Sequence, residues 1–251
     1  MSVALLKNER KDLILRQVNI HTRVTFSDLS NLTHVSEDTI RRDLHELAAE
    51  GRIIKVRGGA MVSTYHPNAV QAEVYALDSK KIIAQKALTL IENGMFVLIG
   101  GGTTVRELIR LIPDSLSATF ITANPFTVMD LVEKPNLETI MIGGKISNYS
   151  RMSVGGDVIQ KLSEIKADLC IMGTNAISPN DGLTDSEWES VQVKKAMIKS
   201  AEKTAILMIS EKLNSSMRLK IADLKDMHYL ITELNPSDTQ LTHYTEGVVL
   251  I

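Results

Sequence analysis

Apolar positions recur along this chain in two rhythms, one helical and short-ranged up to about residue 62, the other a series of nearly continuous apolar runs beyond it. Over residues 35–51, VSEDTIRRDLHELAAEG, a turn of about 100° per residue puts Ile40, Leu44, Leu47 and Ala48 on one face and Asp38, Arg41, Arg42 and His45 on the other. Ser36 precedes the run, Glu37 and Asp38 occupy the first turn and Gly51 follows it, which predicts a capped helix with one buried and one presented face. Upstream, Leu13, Ile14 and Val18 recur among charged residues between Lys7 and His21 and predict a short amphipathic helix. Thr25-Phe26-Ser27-Asp28 reads as a capping box opening a second helix that carries Leu29 and Leu32, with a short turn at Thr33 and His34. Downstream, Arg52 to Arg57 alternates, Ile54 and Val56 inward and Lys55 and Arg57 outward, and Gly58-Gly59 turns the chain into Ala60-Met61-Val62. Three short helices and a glycine-turned ribbon predict a winged helix-turn-helix over residues 1–62, its third helix in the reading position.

Residues 63–75, STYHPNAVQAEVY, lack periodicity, contain Pro67 and read as a linker. Residues 76–251 then alternate helical stretches with short apolar runs. A helix with Ile82, Ile83, Ala87, Leu88 and Ile91 ends at Asn93-Gly94, and the runs are 95–99, 118–122, 137–142, 168–172, 205–209 and 229–231. Runs apolar on both faces and separated by helices predict a mostly parallel, doubly wound α/β sheet. The fold class expected is therefore α/β, a small winged helix-turn-helix domain followed by a larger α/β domain.

Composition narrows the setting. With 44% hydrophobic and 23% charged residues the chain has a globular balance. It has no apolar run near the roughly 18 residues of a membrane helix and no signal-peptide core, so a cytoplasmic location without membrane partners is expected. The single cysteine, Cys170, lies in an apolar run and reads as a buried core residue. The net charge of −2 divides into +2 for residues 1–62 and −4 for the remainder, so DNA binding by the first part would depend on placed cations and on pairing of copies.

Two stretches carry candidate chemistry. Arg41 and Arg42 near a helix start can reach phosphates or fork onto guanine, and Arg57 beside glycines can lie along a backbone or minor groove. The alternative is a solvated helix in which Arg41 pairs with Glu37 and Arg42 with Glu46. In the larger part, Gly100-Gly101-Gly102-Thr103-Thr104 leads from a strand into a helix, so backbone N–H groups, two hydroxyls and a helix N-terminus converge as they do around an anion, with Arg106 in the first turn. A tight turn needing glycine for steric reasons is the alternative. Neither GxxxxGK[ST] nor GxGxxG is present, so no nucleotide and no cofactor is implied. Thr122-Ala123-Asn124, Gly143-Gly144-Lys145, Gly173-Thr174-Asn175 and Lys212 mark further strand ends of the same crevice. Lys194 and Lys195 read as a solvated helix face, and Trp188 as a residue of a domain or subunit seam. The six histidines are scattered without ligand spacing, so no metal is expected.

The TIRRDL segment at Thr39 to Leu44, the end at Gly51 and the Arg57-Gly58-Gly59-Ala60 turn together resemble the N-terminal winged helix of the DeoR family of bacterial transcriptional regulators. The resemblance extends through the glycine-threonine loop, Gly143-Gly144, Gly155, Gly182-Leu183-Thr184 and Val193-Lys194-Lys195-Ala196-Met197. It implies that the helix with Thr39, Arg41 and Arg42 enters the major groove of an operator and that the wing touches the backbone. It also implies a sensor with a fold related to ribose-phosphate isomerase and CoA-transferase enzymes, which binds a phosphorylated sugar effector, and repression as the ordinary sign. The expected DNA-contacting set is Ser36, Thr39, Arg41, Arg42, His45, Arg57 and Gly58. The expected effector set is Gly101, Gly102, Thr103, Thr104, Arg106, Thr122, Asn124, Gly143, Gly144, Lys145 and Lys212. The chain departs from the family at Gly100 and Ile209, where aspartates are usual, and at Thr122-Ala123-Asn124, where a Thr-Asn pair is usual.

A sugar-phosphate isomerase-like enzyme would need a base beside the anion loop, and Gly100 and Ile209 remove the carboxylates that would supply one. A scaffold using the winged helix for protein contact fits poorly with Arg41, Arg42 and Arg57. The reading is a regulator of a carbohydrate operon, acting as a homodimer or homotetramer on repeated half-sites. Loss of two pocket carboxylates alters recognition of the polyol more than of the phosphate. In a thermal-shift panel of phosphorylated sugars the strongest stabiliser is therefore expected to be a compound other than the common hexose or glycerol phosphates, and fructose phosphates ranking first would contradict this.

Overall fold

A computed structural model describes residues 6–21, 23–62, 74–245 and 247–251. The chain divides into two compact units, Met1–Tyr75 and Ala76–Ile251. Residues 1–5 of the expected first domain and residues 63–73 of the expected 63–75 linker lie outside the described residues.

The first unit contains α1 (Lys7–His21), β1 (Arg23–Thr25), α2 (Phe26–Thr33), α3 (Glu37–Ala49), β2 (Ile53–Val56) and β3 (Gly59–Val62). Local chemistry sets the boundaries. The Thr25 hydroxyl accepts from the N–H of Asp28 at 3.1 Å and the Asp28 carboxylate accepts from the N–H of Thr25 at 3.1 Å, a reciprocal cap that starts α2. His34, in the left-handed region at φ 55°, ends it, and two residues later the Ser36 hydroxyl accepts from the N–H of Thr39 at 3.3 Å to start α3. Ile14, Val18, Leu29, Ile40, Leu44 and Leu47 form the core of this unit. Leu32, on the second helix as expected, is 44% exposed, Leu13 and Ala48 are only partly buried, and Leu15 takes a core place.

The wing is a three-stranded antiparallel sheet, β1-β3-β2, rather than a two-stranded ribbon. Gly59 lies so close to β1 that a Cβ there would stand 1.9 Å from the Val24 carbonyl oxygen, so no other residue fits without moving the strand. The expected inward pair is corrected: Ile53 is buried, while Ile54 and Val56 are half-buried. Ile53 and Lys55 share a face by alternation, yet only Ile53 joins the core of the helices.

One buried ion pair joins α1 to α3. Arg10 Nε donates to Asp43 Oδ2 at 2.6 Å and Arg10 Nη2 to Oδ1 at 3.2 Å, with the Asp43 side chain 2% exposed. Outside it, Glu46 accepts from Lys7 and Lys11, each at 2.7 Å, and Lys11 also reaches Glu50 at 3.0 Å. Hydrogen bonds from Lys11 and Lys7 hold the Glu46 carboxyl at about 2, well below its usual range.

The second unit runs α4 (Leu77–Leu88), β4 (Phe96–Ile99), α5 (Thr103–Leu111), β5 (Ala118–Thr122), α6 (Pro125–Leu131), β6 (Leu137–Met141), β7 (Lys145–Ile146), β8 (Ser153–Val154), α7 (Gly156–Ser163), β9 (Ala167–Gly173), β10 (Ala176–Ser178), β11 (Gly182–Asp185), α8 (Trp188–Lys199), β12 (Ala201–Leu207), β13 (Leu219–Ala222), β14 (Tyr229–Ile231) and β15 (Val249–Leu250). Seven strands form a parallel sheet in the order β15-β14-β12-β9-β4-β5-β6. The expected α/β class and parallel sheet are present. From β4 the chain builds outward to β5 and β6, then returns to build β9, β12, β14 and β15 on the other side, so the strand order reverses between β4 and β9.

Some boundaries differ from the expectation. The strand expected at 205–209 spans Ala201–Leu207, because its first residues, Ala-Glu-Lys, carry no apolar signal. The helix expected to reach Asn93-Gly94 ends at Leu88, and Ile82 is 43% exposed on its outer face. The short antiparallel sheet β10-β11-β13, the pair β7-β8 and the edge strand β15 were not expected, since strands of two to four residues are too short to show a period. Cys170 is fully buried, and burial pushes its thiol far above the usual range.

Asp43→Ala removes the buried carboxylate that Arg10 bonds in the core of the first unit and is expected to cost about 3–5 kcal/mol in denaturant unfolding of the full chain, with Asp43→Asn costing less. A loss below about 1 kcal/mol, the size typical of an exposed pair, would contradict the clamp.

Candidate DNA-reading helix and strand-end crevice

On α3 the two arginines are held differently. Arg41 donates to Glu37 at 3.4 Å, approaches Asp38 at 3.9 Å and has its guanidinium 4.3 Å from the centre of the Phe26 ring. Arg42 is exposed, and among the described residues no carboxylate pairs with it, because Glu46, its expected partner in the solvated-helix alternative, is taken by Lys7 and Lys11. His45 is exposed on the same face, and the Thr39 hydroxyl lies 3.1 Å from that of Ser36 at the helix start. At the wing, Gly58 takes φ +85° and its carbonyl accepts from the N–H of Phe26 at 2.9 Å. Arg23 Nη2 donates to the Arg57 carbonyl at 2.8 Å, leaving the Arg57 side chain exposed. The wing tip is thus tied to the start of α2. Phe26, Arg10 and Asp43 were not singled out from sequence, since each works by supporting a neighbour.

In the second unit, the order reversal places the ends of β4 and β9 side by side, and in open α/β sheets such a reversal opens a crevice at the carboxyl ends of the strands. Gly100 to Thr104 follow β4 at this point. A Cβ on Gly101 would stand 2.2 Å from Asn124 Nδ2, and Gly102, at φ +116°, is the residue from which α5 starts. Thr122 and Asn124 are buried and brace the loop: the Thr122 hydroxyl accepts from the N–H of Asn124 at 3.1 Å, and Asn124 Oδ1 accepts from the N–H groups of Phe126 and Thr127 at 3.0 and 3.2 Å. The Thr127 hydroxyl in turn donates to the Gly100 carbonyl at 2.9 Å. A Cβ on Gly144 would meet Val158 Cγ2 at 2.6 Å, whereas Gly143 has open space around it. Arg106 is turned to Asp130 at 3.2 Å and Lys145 to Glu189 at 3.2 Å, both exposed.

The cations of this crevice are its least ordinary groups. Lys212 Nζ donates to the Thr174 carbonyl at 2.9 Å, beside the end of β9. Its side chain keeps some exposed surface while protein crowds its ammonium, and desolvation, with Lys80 and Lys194 nearby, pulls its pKa down to about 7. Lys80 on α4 is buried and is likewise lowered to about 8 by desolvation, against the pull of Glu107 and Glu211. Lys194 does not sit on a solvated face: it donates to Asp185 Oδ2 at 2.6 Å and is 15% exposed. Burial opposes the charge of Asp185, yet Lys194, the N–H of Ser186 and Asn175 together hold its carboxyl below the usual range. Lys80 and Lys194 were missed as crevice residues because a lysine at helical spacing ordinarily faces water.

Two family descriptions cover most of the chain, a DeoR-like helix-turn-helix domain over residues 10–65 and a DeoR C terminal sensor domain over residues 76–234. The chain belongs to the DeoR family. Among curated proteins it is 32% identical to the HTH-type transcriptional repressor GlcR of Bacillus subtilis strain 168, over 93% of this chain and 91% of that protein. It is 27% identical to the L-fucose operon activator of Escherichia coli K12, over 94% of this chain and 99% of that one. Among solved structures it aligns with a D-ribose-5-phosphate isomerase in complex with phospho-erythronic acid at a TM-score of 0.39 and 18% identity, over 53% of this chain and 52% of that one. The chain is a DNA-binding transcriptional regulator of the DeoR family, and among the described residues no helix is long and apolar enough to cross a membrane.

A lysine titrating near 7 when folded and at 10.5 when unfolded makes the unfolded state the greater proton binder between those values, so stability rises with pH across that window. Lys80 adds the same sign. Ligand-free protein is therefore expected to become more stable from about pH 7 to about pH 10 by this contribution, and Lys212→Met to flatten the rise in denaturation midpoints; an unchanged slope would place Lys212 in water.

Proposed function

We propose that this DeoR-family regulator represses a carbohydrate operon as a homodimer or homotetramer, and that a phosphorylated sugar bound at the strand-end crevice changes its affinity for DNA. Arg42 and His45 read base edges from α3, Arg41, Ser36 and Thr39 fix the helix start against phosphates, and Arg57 and Gly58 follow the backbone from the wing. In the crevice, the N–H groups of Gly101 to Thr104 and the α5 N-terminus take the phosphate, with Lys212 as the counter-charge. The observation that carries the reading is the coincidence at one strand-order reversal of a glycine-rich helix start and a desolvated lysine, two features that each favour a bound anion. The name of the L-fucose operon activator supports a sugar-linked role, and repression is taken from the 32% identical repressor, since that activator has the opposite sign. Asp185, bonded to Lys194, is not placed as a free base, which weighs against an isomerase-like reaction.

Selection from a random duplex pool at fixed salt tests the DNA half. Wild type is expected to enrich a repeated half-site, and Arg42→Ala to lose about 1–3 kcal/mol of binding with relaxed choice at one base pair of it. Equal weakening on all sequences would make Arg42 a phosphate contact, and no change would remove α3 from the groove. Sulfate, an anion whose charge is fixed across this range, tests the other half: stabilisation is expected to be stronger at pH 6 than at pH 9, because Lys212, with its pKa near 7, is mostly charged at the lower pH and mostly neutral at the higher, and to be lost in Lys212→Met. Equal stabilisation at both pH values would contradict the role of Lys212.

A further inference from the structure

The hairpin between β7 and β8, bonded to the residue before Asn124, holds polar atoms to which the proposed function gives no role. Between β7 and β8 the chain makes a hairpin whose Ser147 hydroxyl accepts from the N–H groups of Tyr149 and Ser150 at 3.0 and 3.2 Å and donates to Glu187 Oε1. Around it, Ser150 Oγ, Ser153 Oγ, Arg151 Nε and Glu187 Oε2 are enclosed by protein and have no hydrogen-bond partner among the described residues. Ser153 is 0% exposed. Buried polar atoms are ordinarily satisfied, and each one left unpaired weakens the fold, so several in one short stretch need a partner from outside the chain.

Their position ties them to the crevice from both sides. The N–H of Ser153 donates to the Ala123 carbonyl at 2.7 Å, next to Asn124, which fills the space beside Gly101. Glu187 stands two residues beyond Asp185, the partner of Lys194, whose charge is felt at Lys212. The chemistry of the set is specific: two hydroxyls that both donate and accept, one guanidinium N–H that donates and one carboxylate oxygen that accepts. Such a set pairs with neighbouring alcohol groups and offers nothing to an apolar ligand, and among the described residues no cluster of metal-binding groups is present.

We infer that Ser150, Arg151, Ser153 and Glu187 form the hydroxyl-reading half of the effector site, taking the polyol end of a phosphorylated sugar, alditol or sugar acid whose phosphate lies on the glycine loop. This rests on the anion reading proposed above. Glu187 then supplies from the hairpin side the carboxylate that Gly100 and Ile209 do not.

The test uses the full chain and isothermal titration with inorganic phosphate and with a series of phosphorylated sugars, alditols and sugar acids of three to six carbons. At least one hydroxyl-bearing compound is expected to bind about tenfold or more tighter than inorganic phosphate, and both Glu187→Gln and Ser153→Ala to bring that ratio down by about fivefold or more. Ligand-free Ser153→Ala, relieved of an unpaired hydroxyl, is expected to melt no lower than wild type. Phosphate binding that no hydroxyl-bearing compound exceeds, a ratio unchanged in both variants, or a marked loss of ligand-free stability in Ser153→Ala would each overturn the inference while leaving the anion site standing. No binding of any compound, inorganic phosphate included, would overturn both.

Discussion

The sensor depends on where β4 lies. With β5 on one side and β9 on the other, it is the strand from which the sheet grows in both directions, and the loops leaving its end and that of β9 must therefore part. Everything placed in the crevice follows from that parting. The glycines are needed because Asn124, itself the cap of α6, occupies the space a side chain at Gly101 would fill. Under the proposed function, the nearby lysines and directed N–H groups replace the hydration that a phosphate loses on leaving water. Lys212 carries a depressed pKa and the hairpin carries unpaired polar atoms, both of which the proposed effector would relieve.

The winged helix shows a similar division between support and presentation. Arg10 and Asp43 hold α1 against α3 from within, and Lys7 and Lys11 take up Glu46 from outside. That second contact leaves Arg42 exposed and without a carboxylate partner among the described residues, as the proposed base-reading role requires. Arg41 lies across Phe26, a more fixed position suited to a backbone phosphate.

Much of this was legible in the sequence where one residue type has one physical use. Thr25 and Asp28, Ser36, and Gly51 bounded the helices because capping chemistry is local. The central strands showed as continuous apolar runs because both their faces are covered. Legibility failed where the deciding partner is distant or the element short. β1 and the β10-β11-β13 sheet lack the length for a period, Lys80 and Lys194 look like solvated lysines until the packing of α4 and α8 is known, and Ser147 and Glu187 stand 40 residues apart. The solvated-helix alternative, in which Arg42 pairs with Glu46, fails on tertiary contacts from α1 that take Glu46.

The proposed coupling of a DNA-reading helix to an anion-sensing crevice in one chain is tested most directly by selection of fragments from the organism's own genomic DNA, at fixed salt, with and without a mixture of phosphorylated sugars. Enriched fragments are expected to share a repeated half-site, and their enrichment to change when the mixture is present. Fragments enriched equally in both conditions, or none enriched in either, would contradict the coupling.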